Sequence, residues 1–206
     1  MTLEMFRKCM LLVQRSENPT RNGGHKFVWL NHFGEPLLNP LLPDLIASAR
    51  DHAVEVSFSS NGVDQDGKLF SRSTWRQLAD AGLEQVDVSA HVKPVRVLVD
   101  HIGDIVKVAG IFRPTREYFH DWAGQVDMSR MKLDERPTPT APCDYQLHNM
   151  FAITWDRRIA ACCYDIEART GVTVDDVLQN GFEFREISLC RNCRLGRGDA
   201  SWIGCA

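Results

Sequence analysis

The hydrophobic positions at the start of the chain fall at helical spacing. In residues 1–15 (MTLEMFRKCMLLVQR), Leu3, Phe6, Met10, Leu11 and Val13 repeat with that period, Thr2 is placed as a cap, and Glu4 sits near the positive helix end. After the breaker stretch 17–24, Lys26–His32 is short and rich in β-formers, which predicts a buried strand. Pro40–Arg50 returns to helical periodicity, with Pro43 tolerable only in the first turn. Val54–Ser59 then predicts a strand closed by the turn pair Asn61-Gly62, and Ser73–Ala81 predicts a helix stopped by Gly82. Gln85–Ala90, Val95–His101 and Ile105–Phe112 follow as strand, short helix and strand. Strand and helix alternating at this pitch imply right-handed βαβ units on a mainly parallel sheet, an α/β fold.

The pattern changes towards the C-terminus. Residues 128–142 are charged and then proline-rich, which predicts a connector between a domain at 1–127 and a second at 143–206. Met150–Trp155 and Arg158–Cys163 flank Asp156-Arg157 in the layout of a β-hairpin, although Arg is less comfortable in that turn than Gly. Val174–Asn180 predicts a helix. On an extended strand the adjacent Cys162 and Cys163 point to opposite faces, so one is expected to be a ligand and the other a buried thiol.

Composition narrows the function classes. The 206 residues are 44% hydrophobic and 25% charged with a net charge of -3, ordinary for a soluble globular protein, and this gives no electrostatic reason to expect nucleic acid or an anionic membrane as partner. No run approaches the roughly 18 apolar residues of a membrane span, and residues 1–8 lack the layout of a signal peptide, so a cytoplasmic location is expected. Thiols stay reduced there, which makes clustered cysteines better candidates for metal ligands than for disulfides. Six of the seven cysteines lie at or after position 143. The ligand candidates are Cys143, one of the Cys162-Cys163 pair, Cys190 and Cys193; Cys205 lies near enough in sequence to replace one. Two residues between Cys190 and Cys193 let both sulfurs of one turn converge on one centre. Four thiolates suit either a structural Zn(II), which would make the chain a Zn(Cys)4 binding module, or an iron–sulfur cluster. Spacing alone does not choose between them.

Several segments resemble a known family. Cys143 through Cys193, with Ala152-Ile-Thr-Trp-Asp156, Cys162-Cys-Tyr-Asp165, Val174-Asp-Asp-Val-Leu178 and Cys190-Arg-Asn-Cys193, is similar to the SPASM/Twitch auxiliary-cluster domain of radical SAM enzymes. Leu30-Asn-His-Phe-Gly-Glu-Pro-Leu-Leu38 and Ser59-Ser-Asn-Gly62 resemble the second- and third-strand motifs of the same enzymes' partial (β/α) barrel, and His120-Asp-Trp-Ala-Gly124 resembles the exit from its sixth strand. The resemblance implies a single [4Fe-4S] cluster on Cys143, Cys162, Cys190 and Cys193, the one-cluster Twitch form; Asp156, Asp165 and Arg194 lie close in sequence to these ligands and are expected to tune the cluster by charge or hydrogen bonds. Where the family usually has Gly in the hairpin turn, this chain has Arg157.

The resemblance also implies a C-x3-C-x2-C motif for the SAM-cleaving cluster, but only Cys9 precedes Cys143. A shortened, degenerate radical SAM fold is therefore expected, with SAM not expected as a cofactor, and with electron transfer or redox sensing alongside a redox partner protein as the role. A radical SAM-like enzyme completed by a partner or an upstream segment is the alternative. The sheet edge left by the missing strand suits self-association.

Overall fold

The computed structural model describes residues 1–15, 26–31, 34–89, 93–112, 143–147 and 150–192. The connector at 128–142 and the stretch His120–Gly124 lie outside them. The chain divides into two compact units, one made of Thr2–Ser16 and Thr20–Pro114 and the other chiefly of Thr115–Ala206.

The first unit follows the predicted alternation. Helix α1 (Leu3–Arg15) is capped by Thr2, whose hydroxyl accepts from Met5 N at 3.3 Å. Its buried face is Phe6, Cys9, Met10 and Leu12; Leu11, expected inside, is exposed. Strand β1 (Lys26–Trp29) is followed by a 3-10 turn at Pro36–Leu38 and by α2 (Leu42–Asp51), with proline in the first helical turn as expected. Strand β2 (Val54–Ser57) and the two-residue β3 (Ser59–Ser60) come next, then α3 (Arg72–Ala81), β4 (Gln85–Ser89), α4 (Val95–Ile102) and β5 (Lys107–Phe112). Ser71 caps α3 by accepting from Thr74 N, and Gly82 ends it in the left-handed region.

Every strand pair in this unit is parallel. β1 pairs with β2, and β3-β4-β5 form a second sheet, so the strands neighbour one another in chain order. The sequence predicts one strand over Val54–Ser59; the structure breaks it at Phe58, where the main chain changes partner. Leu30 N donates to Ser57 O at 2.8 Å on the β1 side, and Asp87 N donates to Phe58 O at 3.0 Å on the β4 side. Phe58 is fully buried and stacks on Trp75 of α3, ring centroids 6.4 Å apart. Helix α2 packs on β2 and α4 on β4. Along β4, Val86 and Val88 are buried while Gln85, Asp87 and Ser89 are half-buried, the period of two expected of a sheet with one face packed. A bulge in β5 lets Asp87 pair with Gly110, and the absence of a side chain there leaves room for the Asp87 carboxylate: a Cβ would lie 2.7 Å from Oδ1.

Gly62 joins β3 to the loop that follows. Its φ is +70°, and a Cβ would come within 2.7 Å of the buried Leu98 Cδ2. Gly62→Ala adds left-handed strain of ~1–2 kcal/mol to overpacking of ~1–3 kcal/mol. A loss of about 2–5 kcal/mol is expected, read as a lower urea midpoint at unchanged m-value.

In the second unit, β6 (Ala152–Ile153) and β7 (Ile159–Ala160) form the expected hairpin, antiparallel and shorter than the pattern suggests. A short helix α5 (Asp144–Leu147) precedes it, and α6 (Val174–Asn180) and a 3-10 turn at Ser188–Asn192 follow. Val174 N donates to Arg157 O at 2.9 Å and Ile159 N to Val172 O at 2.8 Å, fastening the approach to α6 onto the hairpin.

Candidate functional site

Two places in the structure bring sequence-predicted residues together. The first is the C-terminal end of the strands in the first unit, the end at which open parallel sheets bind their ligands. Beyond Leu30 the ladder between β1 and its neighbour stops, and side chains take over. Asn31 Oδ1 accepts from Ser59 N at 2.8 Å. The Glu35 carboxylate accepts from Leu37 N at 3.1 Å, Ser60 Oγ at 2.8 Å and Asn61 N at 3.0 Å. Ser60 Oγ in turn accepts from Gly62 N at 2.9 Å. The Gly34-Glu35-Pro36 and Ser59–Gly62 segments, which the sequence singles out separately, are thus one hydrogen-bonded unit. Both oxygens of Glu35 are engaged by this chain's own donors.

The second place is the cysteine region. None of Cys9, Cys143, Cys162, Cys163 and Cys190 is in a disulfide. Cys143 stands immediately before α5, and Gln146 Nε2 donates to Glu186 Oε1 at 3.4 Å, which draws α5 towards the chain leading to Cys190. Burial, above all, pushes the Cys190 thiol above its ordinary pKa; the Ile187 backbone lowers it, and Cys143, Glu186 and Asp165 raise it further. Cys143 and Asp165 are therefore within electrostatic reach of Cys190. Cys162 and Cys163 both pack against the buried pair Tyr164–Leu189, and Leu189 is the chain neighbour of Cys190.

This corrects one expectation. Cys162 and Cys163 do not continue strand β7, which ends at Ala160; they lie in a turn, and both are half-buried rather than one being enclosed. The cause is Asp165. Fully buried, its carboxylate accepts from Ala161 N at 3.0 Å and from Arg169 N at 3.0 and 2.9 Å, while Asp165 N donates to Cys162 O at 3.1 Å. A chain bent around such an acceptor cannot keep the alternation of a strand. Asp156, also singled out by sequence, serves the hairpin turn instead: it accepts from Thr154 Oγ1 at 2.5 Å and Arg158 Nε at 2.8 Å. Arg157 takes φ +70°, the left-handed conformation that Gly adopts without strain, and pairs with Asp175 at 3.2 Å. Cys193, Cys205, Arg194, His32, His91, His120 and His148 lie outside the described residues. Among the described residues no three of His, Cys, Asp and Glu come close enough to hold a metal ion.

Two carboxylates in this unit are held below their usual range, Asp156 by the Thr154 hydroxyl and then Arg158, and Asp176 by the Thr173 side chain and then its backbone in the capping box of α6. A carboxylate whose folded pKa is depressed stabilises the fold above its unfolded value, near 4, and loses that contribution as pH falls through the folded value. The melting temperature is accordingly expected to fall on acidification below about pH 4, and less steeply in an Asp176→Asn variant.

No protein-family model matches the sequence, and no curated protein matches it. Solved structures do. BtrN, a radical SAM enzyme, in complex with AdoMet and 2-DOIA is similar at a TM-score of 0.63 and 14% identity, over 85% of this chain and 66% of that one. The fold is radical-SAM-like. Selenomethionine BtrN in an open conformation is similar at a TM-score of 0.57 and 12% identity, over 94% of this chain and 79% of that one. This chain therefore spans 66% of the length of the AdoMet-bound structure. No helix among the described residues is long and apolar enough to cross a membrane.

Proposed function

We propose that this chain is an iron–sulfur protein that holds one [4Fe-4S] cluster on Cys143, Cys162, Cys190 and Cys193 in a SPASM/Twitch-like C-terminal domain, and that it acts in electron transfer or redox sensing. The observation that supports this reading is that Cys162 packs against Tyr164 and Leu189, the residue next to Cys190, which two residues separate from Cys193. Soft thiol donors in a partly apolar setting fit an iron–sulfur cluster by their chemistry. When bound, such a cluster takes up and releases a single electron at a potential anywhere from roughly -700 to +450 mV, set by burial, charge and hydrogen bonding to sulfur. The residues present supply the burial, through Tyr164 and Leu189, and the charge, through Asp165. A cytoplasmic location, a redox partner protein and self-association through a sheet edge belong to the same proposal.

The similarity to an AdoMet-bound radical SAM enzyme favours a second reading, a radical SAM-like catalyst in which a partner or a further segment supplies the SAM-cleaving cluster. Metal analysis of anaerobically isolated protein tests the first. About four irons per chain with a broad band near ~400 nm are expected. A colourless protein with one tightly held zinc would overturn it in favour of a structural Zn(Cys)4 module. Formation of 5'-deoxyadenosine from SAM under dithionite would decide for the catalyst.

A further inference from the structure

We propose that Asp165 is a positioning residue for the cysteine turn, holding Cys162 towards Cys190. The inference rests on the reading that these two thiols serve one site, and it adds what keeps them there. Ala161, directly before the cysteine pair, and Arg169, four residues beyond Asp165, both donate their backbone N–H to this one carboxylate. The ends of the Ala161–Arg169 loop are thereby drawn to its centre. Inside the loop, Asp165 N donates to Cys162 O and Ala168 N to Asp165 O, so the residue also anchors the main chain on either side of itself. Three charge-assisted contacts at 2.9–3.0 Å offset the cost of burying a carboxylate completely. A neutral residue of the same shape does this less well: in the Asp165→Asn variant an amide oxygen in the Oδ2 place would accept from both N–H groups without the charge, while the side-chain NH2 would stand donor against donor at Arg169 N–H.

Asp165→Asn separates these effects in three measurements. In metal-free protein, alkylation of Cys162 and Cys163 by iodoacetamide should accelerate about tenfold, the factor set by losing the charge of the clamp and its Oδ1 contact, while buried Cys9 stays protected. Rates equal to wild type would overturn the proposal. If Cys9 is also modified and the variant has unfolded, hydrogen exchange in the wild-type protein decides instead: slow exchange at the Ala161 and Arg169 amides supports the clamp, and fast exchange at both rejects it. In protein reconstituted anaerobically with iron and sulfide, Asp165→Asn should retain less iron per chain than wild type, and equal retention would count against the residue. If wild-type protein takes up no iron, the iron–sulfur reading fails, and the alkylation and exchange measurements still judge Asp165.

Discussion

Cys190→Ala is expected to abolish iron retention, and the same loss is expected for Cys143→Ala, Cys162→Ala and Cys193→Ala. Four thiolates share the binding free energy of a structural thiolate site, on the order of 10–16 kcal/mol in small metal-binding domains, so one ligand accounts for roughly 3 kcal/mol, about a hundredfold in affinity. The Cys190 side chain is half-buried beside Leu189, and Ala there carries no sulfur to offer a metal. Cys163→Ala is the discriminating control. Cys163 shares the turn and the Tyr164–Leu189 surface with Cys162, so a general loosening of the turn would affect both variants alike. Iron content per chain, measured after anaerobic gel filtration, should stay near wild type in Cys163→Ala and fall to background in the other four. Retention in Cys190→Ala would strike that residue from the ligand set.

Phe58→Ala should be the most damaging single change to the first unit, costing about 3–5 kcal/mol. The ring is fully buried and stacked on Trp75, so its removal leaves a cavity between β2 and α3 that neither neighbour can close by a rotamer change alone. Its main chain is the point at which the strand leaves β1 and joins β4, through Leu30 N to Ser57 O before it and Asp87 N to Phe58 O after it. Packing at the ring holds that exchange of partners in place. Urea unfolding followed by tryptophan fluorescence should show a much lower midpoint, with Trp75 reporting the change directly. A shift smaller than that of Gly62→Ala would mean that the ladder, and not the ring, sets the break.

Much of the first unit is legible in the amino-acid order because its signals are local. Thr2, Ser71 and Gly82 mark helix ends by their own chemistry, and the alternation of Val86 and Val88 with Gln85, Asp87 and Ser89 marks a sheet face. The break at Phe58 and the bulge opposite Asp87 are not legible, since both are decided by which strand lies alongside. In the cysteine region the discomfort of Arg157 in a turn can be read directly, and φ +70° bears it out. The turn at Cys162-Cys163 cannot be read from apolar periodicity. It is imposed by a carboxylate bonded to amides four residues away on either side, and the one clue in the sequence is the acid following closely on Cys-Cys-Tyr. The contact of α5 with the chain before Cys190, Gln146 to Glu186 across 40 positions, likewise has no signal in the order of residues.

Where β1 and β3 part company, their tips are fastened by an asparagine and a glutamate instead of by the polypeptide itself. The width of that mouth is thus a matter of side-chain length. Exchanging Glu35 for a residue one methylene shorter would alter the gap without shifting any strand's register, so the opening of this sheet can be resized one residue at a time while the scaffold beneath it stays as it is.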